Sequence, residues 1–176
     1  TVTCKWTYLA HEQRWDAGYF RQIGLEELAD EDFVRIGQRI VDPGTPCGDG
    51  LCATAAEEMG LPVGTPVAVG MIDAHAGGIG TVGVLNGAVN NMAYVFGTSS
   101  CTMTTTQEAV FVPGVWGPYY SAMVPGFWLS EGGQSAAGAA IDQLLSFHPA
   151  AAEAKALAKA RGVPLPVYLA DSVLAK

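Results

Sequence analysis

The sequence predicts an α/β fold, and three features of the chain indicate it. Residues 67–72 form an apolar run with the composition of a buried strand. A glycine-rich helix follows at once, and beyond residue 87 the pattern changes to strands separated by tight turns. Apolar residues make up 49% of the 176 residues, so the chain has the material for a packed core.

Helical patterns dominate the first third of the chain. Residues 5–23 mix aromatic and charged side chains in a helical rhythm and predict one or two short helices, the second beginning near Asp16. Residues 24–38 predict short helical turns with an acidic surface. A loop and then an alanine-rich helix are predicted next, at residues 42–46 and 51–59.

The middle of the chain predicts a strand followed directly by a helix. The strand covers residues 67–72, and Asp73 stands where a helix N-cap is expected. The glycines that follow, between residues 77 and 83, predict a helix that packs closely against a neighbour. A domain boundary is expected near residues 84–88.

The second half of the chain predicts strands first and helices afterwards. Residues 88–96 and 101–106 read as two strands of a hairpin, joined by a turn of small residues. Residues 110–126 lack a helical period. A further strand and two helices are predicted at residues 127–130, 135–147 and 150–161, with a partly helical stretch at 162–176.

Composition excludes several classes of protein. The net charge is −8, and a nucleic-acid binder would need clustered basic residues instead. No apolar run reaches the roughly 18–20 residues of a membrane span, and no signal peptide is recognisable. The scattered cysteines predict reduced thiols in a cytoplasmic protein, and their spacing gives no zinc motif; they are Cys4, Cys47, Cys52 and Cys101.

Asp73 is the first candidate for a functional side chain. A carboxylate between a strand and a helix lies where open α/β sheets place their ligand chemistry, and it could accept the proton of a substrate hydroxyl. The alternative is a plain helix cap.

Four further candidates each have an ordinary structural alternative. Residues 97–100, Gly-Thr-Ser-Ser, bind phosphate or form a simple turn. Glu131, before two glycines, binds substrate hydroxyls or caps the next helix. Lys5 reaches a ligand or extends to solvent. Ser135 nearly matches the nucleophile elbow of serine hydrolases, but the last glycine of that motif is missing.

Three motifs together resemble the FGGY family of carbohydrate kinases, and most closely its ribulokinase-like branch, the D-ribulokinase and ribitol kinase group. They are GMIDAHAGGIG at residues 70–80, FGTSS at 96–100 and WLSEGGQSAAG at 128–138. Cys4-Lys5-Trp6, followed by His11-Glu12, also resembles that branch.

The resemblance implies part of an actin-like, ribonuclease H-like fold. Residues 1–86 would be the C-terminal part of the sugar-binding N-terminal domain, and residues 87–176 the start of the nucleotide-binding C-terminal domain. FGGY kinases transfer the γ-phosphoryl group of ATP to a sugar or polyol, with Mg²⁺. The residue roles implied are Asp73 as catalytic base, Lys5, Asp73 and Glu131 as sugar contacts, and Gly97, Thr98 and Ser99 as the phosphate loop.

The implied substrate is a five-carbon ketose or polyol, with D-ribulose ahead of ribitol, L-ribulose and xylulose. Because family members are far longer, the chain is expected to be a central fragment that is inactive alone and that associates with itself if its apolar surface is exposed. Two other hypotheses stay open. One is a non-catalytic sugar-binding or regulatory module, and the other is a hydrolase that uses Ser135. No role is assigned to His75.

Overall fold

The computed structural model describes residues 1–83 and 86–175, with only the backbone at residue 86. Contacts divide the chain into two compact units. The first comprises Thr1–Val95 and Cys101–Gly132, and the second comprises Phe96–Ser100 and Gly133–Lys176. The boundary predicted near residues 84–88 falls in part on residues 84 and 85, which lie outside the described residues.

The first unit begins with short elements. They are α1 (Val2–Lys5), β1 (Tyr8–Leu9), β2 (Arg14–Trp15), α2 (Ala17–Gln22) and α3 (Glu26–Asp30). The helix predicted near Asp16 is confirmed, and the Asp16 carboxylate accepts the Tyr19 N–H at 3.2 Å as an N-cap. The antiparallel pair β1–β2 was not expected, because strands of two residues are too short to show an alternating pattern.

A small aromatic cluster holds this N-terminal region together. Trp15, Phe20 and Phe33 are buried against one another, with the rings of Trp15 and Phe33 stacked at 5.7 Å. The Trp15 indole N–H donates to the Gly37 carbonyl at 3.1 Å, so its polar edge is also satisfied. The aromatic residues of the predicted helical stretch therefore form a local core.

The strand predicted at residues 67–72 is wrong. Helix α4 (Ala53–Met59) precedes it as predicted, but this run then forms only an isolated bridge between Pro46 and Ala68. Its backbone pairs on one side with a loop, and Val69 donates to the Thr45 carbonyl at 2.8 Å. Val67 is 38% exposed. An apolar run alone does not make a strand, since burial needs covered faces.

The glycine-rich helix is confirmed as α5 (Asp73–Val82). The predicted N-cap is wrong by one residue: Ile72 is the N-cap and Asp73 is already the first helical residue, so the helix begins one residue earlier than an N-cap at Asp73 implies. Close packing is also confirmed. A Cβ on Gly78 would lie 3.0 Å from the Met123 sulfur, and one on Gly77 would lie 3.3 Å from Val95.

Most residues of a four-stranded sheet belong to the first unit. The residues at some of its strand ends, 96, 100, 133 and 134, are counted in the second unit. Helix α6 (Asn86–Asn90) leads into it, so the strand predicted from residue 88 begins only at residue 93. The strands are β3 (Ala93–Phe96), β4 (Ser100–Thr106), β5 (Trp116–Tyr120) and β6 (Trp128–Gln134), in the order β3-β4-β6-β5. Neighbours β3 and β4, joined by residues 97–99, confirm the predicted hairpin.

Strand β5 was missed, and β6 is longer than predicted. Pro118 conceals β5 in the sequence, but β5 is an edge strand, where proline is tolerated. Glu131 lies within β6, not at the predicted junction with a helix. Gly132, the next residue, allows β6 to lie close to β4. A Cβ on Gly132 would lie 2.9 Å from the Thr102 hydroxyl, which donates to the Gly132 carbonyl.

The main core of the first unit lies on this sheet. Its buried residues are Ala88, Ala93, Met103, Ala122, Met123, Val124 and Leu129. Cys4, Cys101 and Tyr119 are half-buried and pack against it. The core is therefore in contact with two thiols and a phenol.

The second unit is helical. It contains α7 (Gly138–Ser146), α8 (Ala151–Arg161) and α9 (Leu165–Leu174), so the helices predicted at 135–147 and 150–161 are confirmed, as is a helix within 162–176. Gly162 ends α8 in the left-handed conformation, with φ 70°. Within residues 1–83 and 86–175, no helix has both the length and the apolar character needed to cross a membrane.

Candidate active site

A buried histidine and a carboxylate form the centre of the site. His75 is fully buried on the first turns of α5, and its Nε2 lies 2.8 Å from Oε1 of Glu131 on β6. Its Nδ1 lies 3.2 Å from the Ala122 carbonyl oxygen. The Glu131 side chain is only 12% exposed, so water screens this pair weakly.

The hydrogen-bond partners determine where the protons are. A carbonyl oxygen only accepts, so the Ala122 contact requires an N–H at Nδ1 of His75. An ionised Glu131 also only accepts, so Nε2 must then carry a proton as well. The pair therefore shares one proton in the Nε2–Oε1 bond, and Nδ1 carries its own proton toward the Ala122 carbonyl.

The surroundings of Glu131 favour its charged form. Desolvation raises the pKa of this carboxyl, but the hydrogen bond and charge of His75, the Cys101 thiol and the Lys5 charge together outweigh it. The pKa of Glu131 is therefore lowered below its ordinary value of 4.5. An ionised carboxylate of this kind is a strong acceptor for sugar hydroxyls.

Two thiols and a phenol adjoin the carboxylate. Cys101 donates to Glu131 Oε1 at 3.6 Å, and burial together with the Glu131 charge raises the Cys101 pKa to about 11. Burial likewise raises the pKa values of Cys4 and Tyr119. All three groups are therefore neutral at neutral pH and leave Glu131 as the anion of the cluster.

Lys5 and Glu131, both predicted as sugar contacts, lie close enough for the Lys5 charge to act on the Glu131 carboxyl. Lys5 is exposed at the end of α1, and its ammonium charge lowers the pKa values of both Glu131 and Cys101. An exposed cation beside a half-buried anion offers hydrogen-bond donors and acceptors together, which is what a polyhydroxylated ligand requires.

Asp73 lies on the same helix as His75 but has a different environment. It is exposed, and its carboxylate accepts the Ala74 N–H at 2.9 Å. Side chains two positions apart on a helix project about 200° from each other, so His75 faces the core while Asp73 faces solvent. Helix α5 thus supplies an accessible carboxylate from the same turn that anchors Glu131.

The predicted phosphate loop lies in the second unit. Gly97, Thr98 and Ser99 are exposed, and the Gly97 N–H donates to the Ser99 carbonyl at 2.8 Å. The Thr98 carbonyl accepts the Ala137 N–H at 2.9 Å, which ties the loop to the segment before α7. The loop therefore has a conformation held by backbone bonds, with small hydroxyl side chains at its tip.

A cleft of about 820 Å³ also opens in the first unit. Its walls include Thr3, Gln38, Gly70 and Ser121, so it begins close in sequence to Lys5 and to α5. The predicted site residues are not part of its lining.

His75, Cys4 and Cys101 were missed by sequence reasoning as members of the site. A signal existed in two of them: Cys4 adjoins Lys5, and His75 comes two residues after Asp73 in a helix otherwise made of small and apolar residues. Cys101 gave no signal, because its relation to Glu131 depends on the pairing of β4 and β6.

For the hydrolase alternative, His75 is not available as a base for Ser135. Both ring nitrogens of His75 are engaged, by Glu131 and Ala122. His148 uses its Nδ1 to accept the Ala150 N–H at 3.2 Å. The nucleophile of a serine hydrolase needs a histidine nitrogen available to its hydroxyl, and this pattern offers none at His75.

Comparison with known proteins gives a family match for part of the chain. Residues 92–175 match the FGGY family of carbohydrate kinases, C-terminal domain. This match agrees with the α/β class and the motifs of the sequence.

Three individual proteins are also similar to the chain. The chain is 48% identical to an FGGY carbohydrate kinase domain-containing protein of Xenopus laevis, over 96% of this chain and 32% of the relative. It is 35% identical to a D-ribulokinase of Saccharomyces cerevisiae, over 88% of this chain and 25% of the relative. A xylulose kinase structure from Rhodospirillum rubrum is similar at 28% identity with a TM-score of 0.45, covering 62% of this chain and 23% of that one. The chain thus spans about a third or less of these relatives.

Proposed function

We propose that this chain contributes the sugar site and a phosphate loop to an ATP-dependent carbohydrate kinase. The substrate is a five-carbon ketose or polyol, with D-ribulose first because a D-ribulokinase is among the relatives. Ribitol, L-ribulose and xylulose follow. Residues 1–86 belong to the sugar-binding domain and residues 87–176 to the nucleotide-binding domain. The free cysteines support a cytoplasmic location.

The observation that carries this proposal is the meeting of Lys5 and Glu131. They lie 126 positions apart in the sequence, on α1 and β6, and the Lys5 charge acts on the Glu131 carboxyl. Glu131 is kept ionised and fixed in direction by His75. The oriented Glu131 carboxylate can accept hydrogen bonds from sugar hydroxyls, and the exposed Lys5 ammonium can donate to them. The orientation of those hydroxyls decides which sugar is bound.

Asp73 acts as the general base of the transfer. Its exposed carboxylate takes the proton of the attacking sugar hydroxyl as that oxygen bonds to the γ-phosphorus, while the bond between that phosphorus and the bridging oxygen of ADP breaks. Lys5 and Glu131 hold the remaining hydroxyls, so that one hydroxyl is presented to Asp73. Positioning of this kind is the main protein contribution to phosphoryl transfer.

Gly97, Thr98 and Ser99 hold the ATP phosphates through backbone N–H groups and hydroxyls. Mg²⁺, which prefers oxygen ligands, would supply neutralisation of the phosphate charge during transfer.

The test is ADP release by the longest form of the protein that contains this chain, over a panel of ketopentoses and polyols. We expect turnover on one pentose, and Asp73→Asn abolishes it. Asp49→Asn, at an exposed position, is the matched control and leaves turnover unchanged.

Two other outcomes would contradict parts of the proposal. Turnover that survives Asp73→Asn would mean that Asp73 is a helix-terminal residue and that another group is the base. A folded protein that binds a pentose but turns over none would favour the alternative, a sugar-binding or regulatory module built on the kinase scaffold.

A further inference from the structure

We propose that Cys4, His75 and Glu131 form a binding site for a thiophilic divalent metal ion such as Zn²⁺. The cysteine sulfur, a ring nitrogen of the histidine and a carboxylate oxygen all lie within 4.8 Å of one another. They come from α1, α5 and β6, three elements of the first unit. The spacing of the residues in the sequence contains no metal-binding motif, so only the fold brings this set together.

The distances suit a tetrahedral ion after a small adjustment. Zinc binds sulfur at about 2.3 Å and nitrogen or oxygen at about 2.0–2.2 Å, so ligand atoms around a tetrahedral ion lie roughly 3.4–3.6 Å apart. His75 Nε2 and Glu131 Oε1 are now 2.8 Å apart and would separate slightly, while the Cys4 sulfur would approach by at most about 1.4 Å. Cys4 is only half-buried, which leaves its side chain room to adjust.

His75 already has the arrangement of a metal-bound histidine. Such histidines usually donate their second N–H to a carbonyl or carboxylate, which fixes the tautomer and the ring orientation. Here Nδ1 is oriented by the Ala122 carbonyl, and Nε2 faces the Glu131 carboxylate. Because the ring is fully buried, its direction is also fixed by packing.

The donor set selects the kind of metal. One thiolate, one imidazole and one carboxylate match Zn²⁺ or Co²⁺, whereas Mg²⁺ and Ca²⁺ prefer oxygen ligands alone. Three protein ligands leave the fourth position of a tetrahedral ion for solvent or another ligand. Cys101, whose thiol donates to Glu131 Oε1, helps to orient the carboxylate without being one of the three ligands.

The net charge of the site does not change when a divalent ion replaces two protons. Without metal, the Cys4 sulfur carries its proton and the His75–Glu131 pair, with one proton in the Nε2–Oε1 bond, has no net charge. Binding releases two protons to solvent, one from the thiol and one from the Nε2–Oε1 bond, as the metal–sulfur and metal–nitrogen bonds form. A thiolate, a carboxylate and a divalent ion again sum to zero. The nearby ammonium of Lys5 therefore opposes binding only weakly.

The site has a consequence that rests on the proposed function. Glu131 cannot accept sugar hydroxyls in the same way while it coordinates a metal, so the ion and the pentose compete. Zinc would then inhibit the kinase competitively with respect to sugar, and a chelator would restore activity. The metal site itself is measurable without any turnover.

The primary test is metal binding by the whole chain. We expect one Zn²⁺ per chain by calorimetry, and one Co²⁺ with a thiolate-to-metal charge-transfer absorption in the near ultraviolet. Cys4→Ser removes that absorption and weakens zinc binding by at least tenfold, whereas Cys52→Ser, at an exposed cysteine, changes neither. Glu131→Gln, which keeps the side-chain volume, also weakens binding by at least tenfold.

The outcomes separate the two proposals. If Cys4→Ser leaves the absorption and the affinity unchanged in a protein whose circular dichroism is native, or if no ion binds, the metal site is wrong. If the ion binds as described but leaves the sugar KM unaffected, the metal site stands and the role of Glu131 as a sugar contact is wrong. If Glu131→Gln raises the sugar KM while no ion binds, the proposed function stands alone.

Discussion

The Nε2 atom of His75 and the Oε1 atom of Glu131 lie 2.8 Å apart and join residues 56 positions apart in the sequence. This bond connects helix α5, which begins with Asp73, to strand β6. It therefore has two roles, since it links the helix to the sheet and fixes the direction of the carboxylate.

Removing one partner of this pair is expected to destabilise the fold. His75→Ala leaves the half-buried Glu131 without its principal partner, and breaking a buried pair in this way costs about 3 kcal/mol or more of the free energy of unfolding. Urea denaturation followed by circular dichroism measures the change. His148→Ala, at an exposed histidine, is the control and is expected to cost less than about 1 kcal/mol. Equal losses in the two variants would contradict a structural role for the pair.

The lowered pKa of Glu131 predicts loss of stability in acid. A carboxyl whose pKa is lower in the folded state stabilises the fold fully above its unfolded value, here 4.5, and the contribution disappears as the pH falls through the folded value. The free energy of unfolding, measured with a chelator present, is therefore expected to fall below pH 4.5. Glu131→Gln flattens this dependence. Glu58→Gln, at an exposed position on α4, leaves it unchanged, and the same slope in both variants would count against the assignment.

Two glycines of α5 are expected to respond oppositely to alanine. Gly80 has open space around it, so Gly80→Ala gains helix propensity of up to about 1 kcal/mol. At Gly78 the new methyl group would meet the Met123 sulfur at 3.0 Å and the Met103 methyl at 3.2 Å. Overpacking costs roughly 1–3 kcal/mol, which exceeds the gain, so Gly78→Ala lowers the free energy of unfolding. Thermal unfolding of both variants is the measurement, and stabilisation by both would show that the packing of α5 is loose.

The helices and the hairpin were predictable because their signals are local. Asp16 marks the start of α2, and Gly60 and Gly162 mark the ends of α4 and α8. Pattern and capping need only a few neighbouring residues, so a single sequence contains them. The motif residues Asp73 and Glu131 were proposed as site residues in the same way, from their neighbours in the chain.

The environment of the site could not be predicted, because pairing between distant segments creates it. The apolar run at residues 67–72 looks like a buried strand, but only one bridge forms there. Glu131 looks like a residue at a helix junction, yet β6 continues through it, and the pairing of β6 with β4 brings Cys101 to its carboxylate. These are relations between segments, and no local pattern records them.

The charge of Lys5 provides the last prediction, which rests on the proposed function. If Lys5 donates to a sugar hydroxyl, Lys5→Met removes a charged hydrogen bond worth about 1.5–3 kcal/mol and raises the KM for D-ribulose roughly 10- to 100-fold. Because the reacting hydroxyl is held by Asp73, kcat is expected to change much less. Steady-state kinetics in a protein that contains this chain provide both constants.

Lys155→Met, at an exposed lysine of α8, is the matched control and is expected to leave both constants unchanged. A loss of kcat at constant KM in Lys5→Met would place Lys5 in the transfer step instead, where it would stabilise charge on the phosphoryl group. An unchanged KM and kcat would mean that the ammonium only extends to solvent. The KM-to-kcat split therefore distinguishes sugar binding from phosphoryl stabilisation at this residue, because only the former acts equally on the bound sugar and on its transition state.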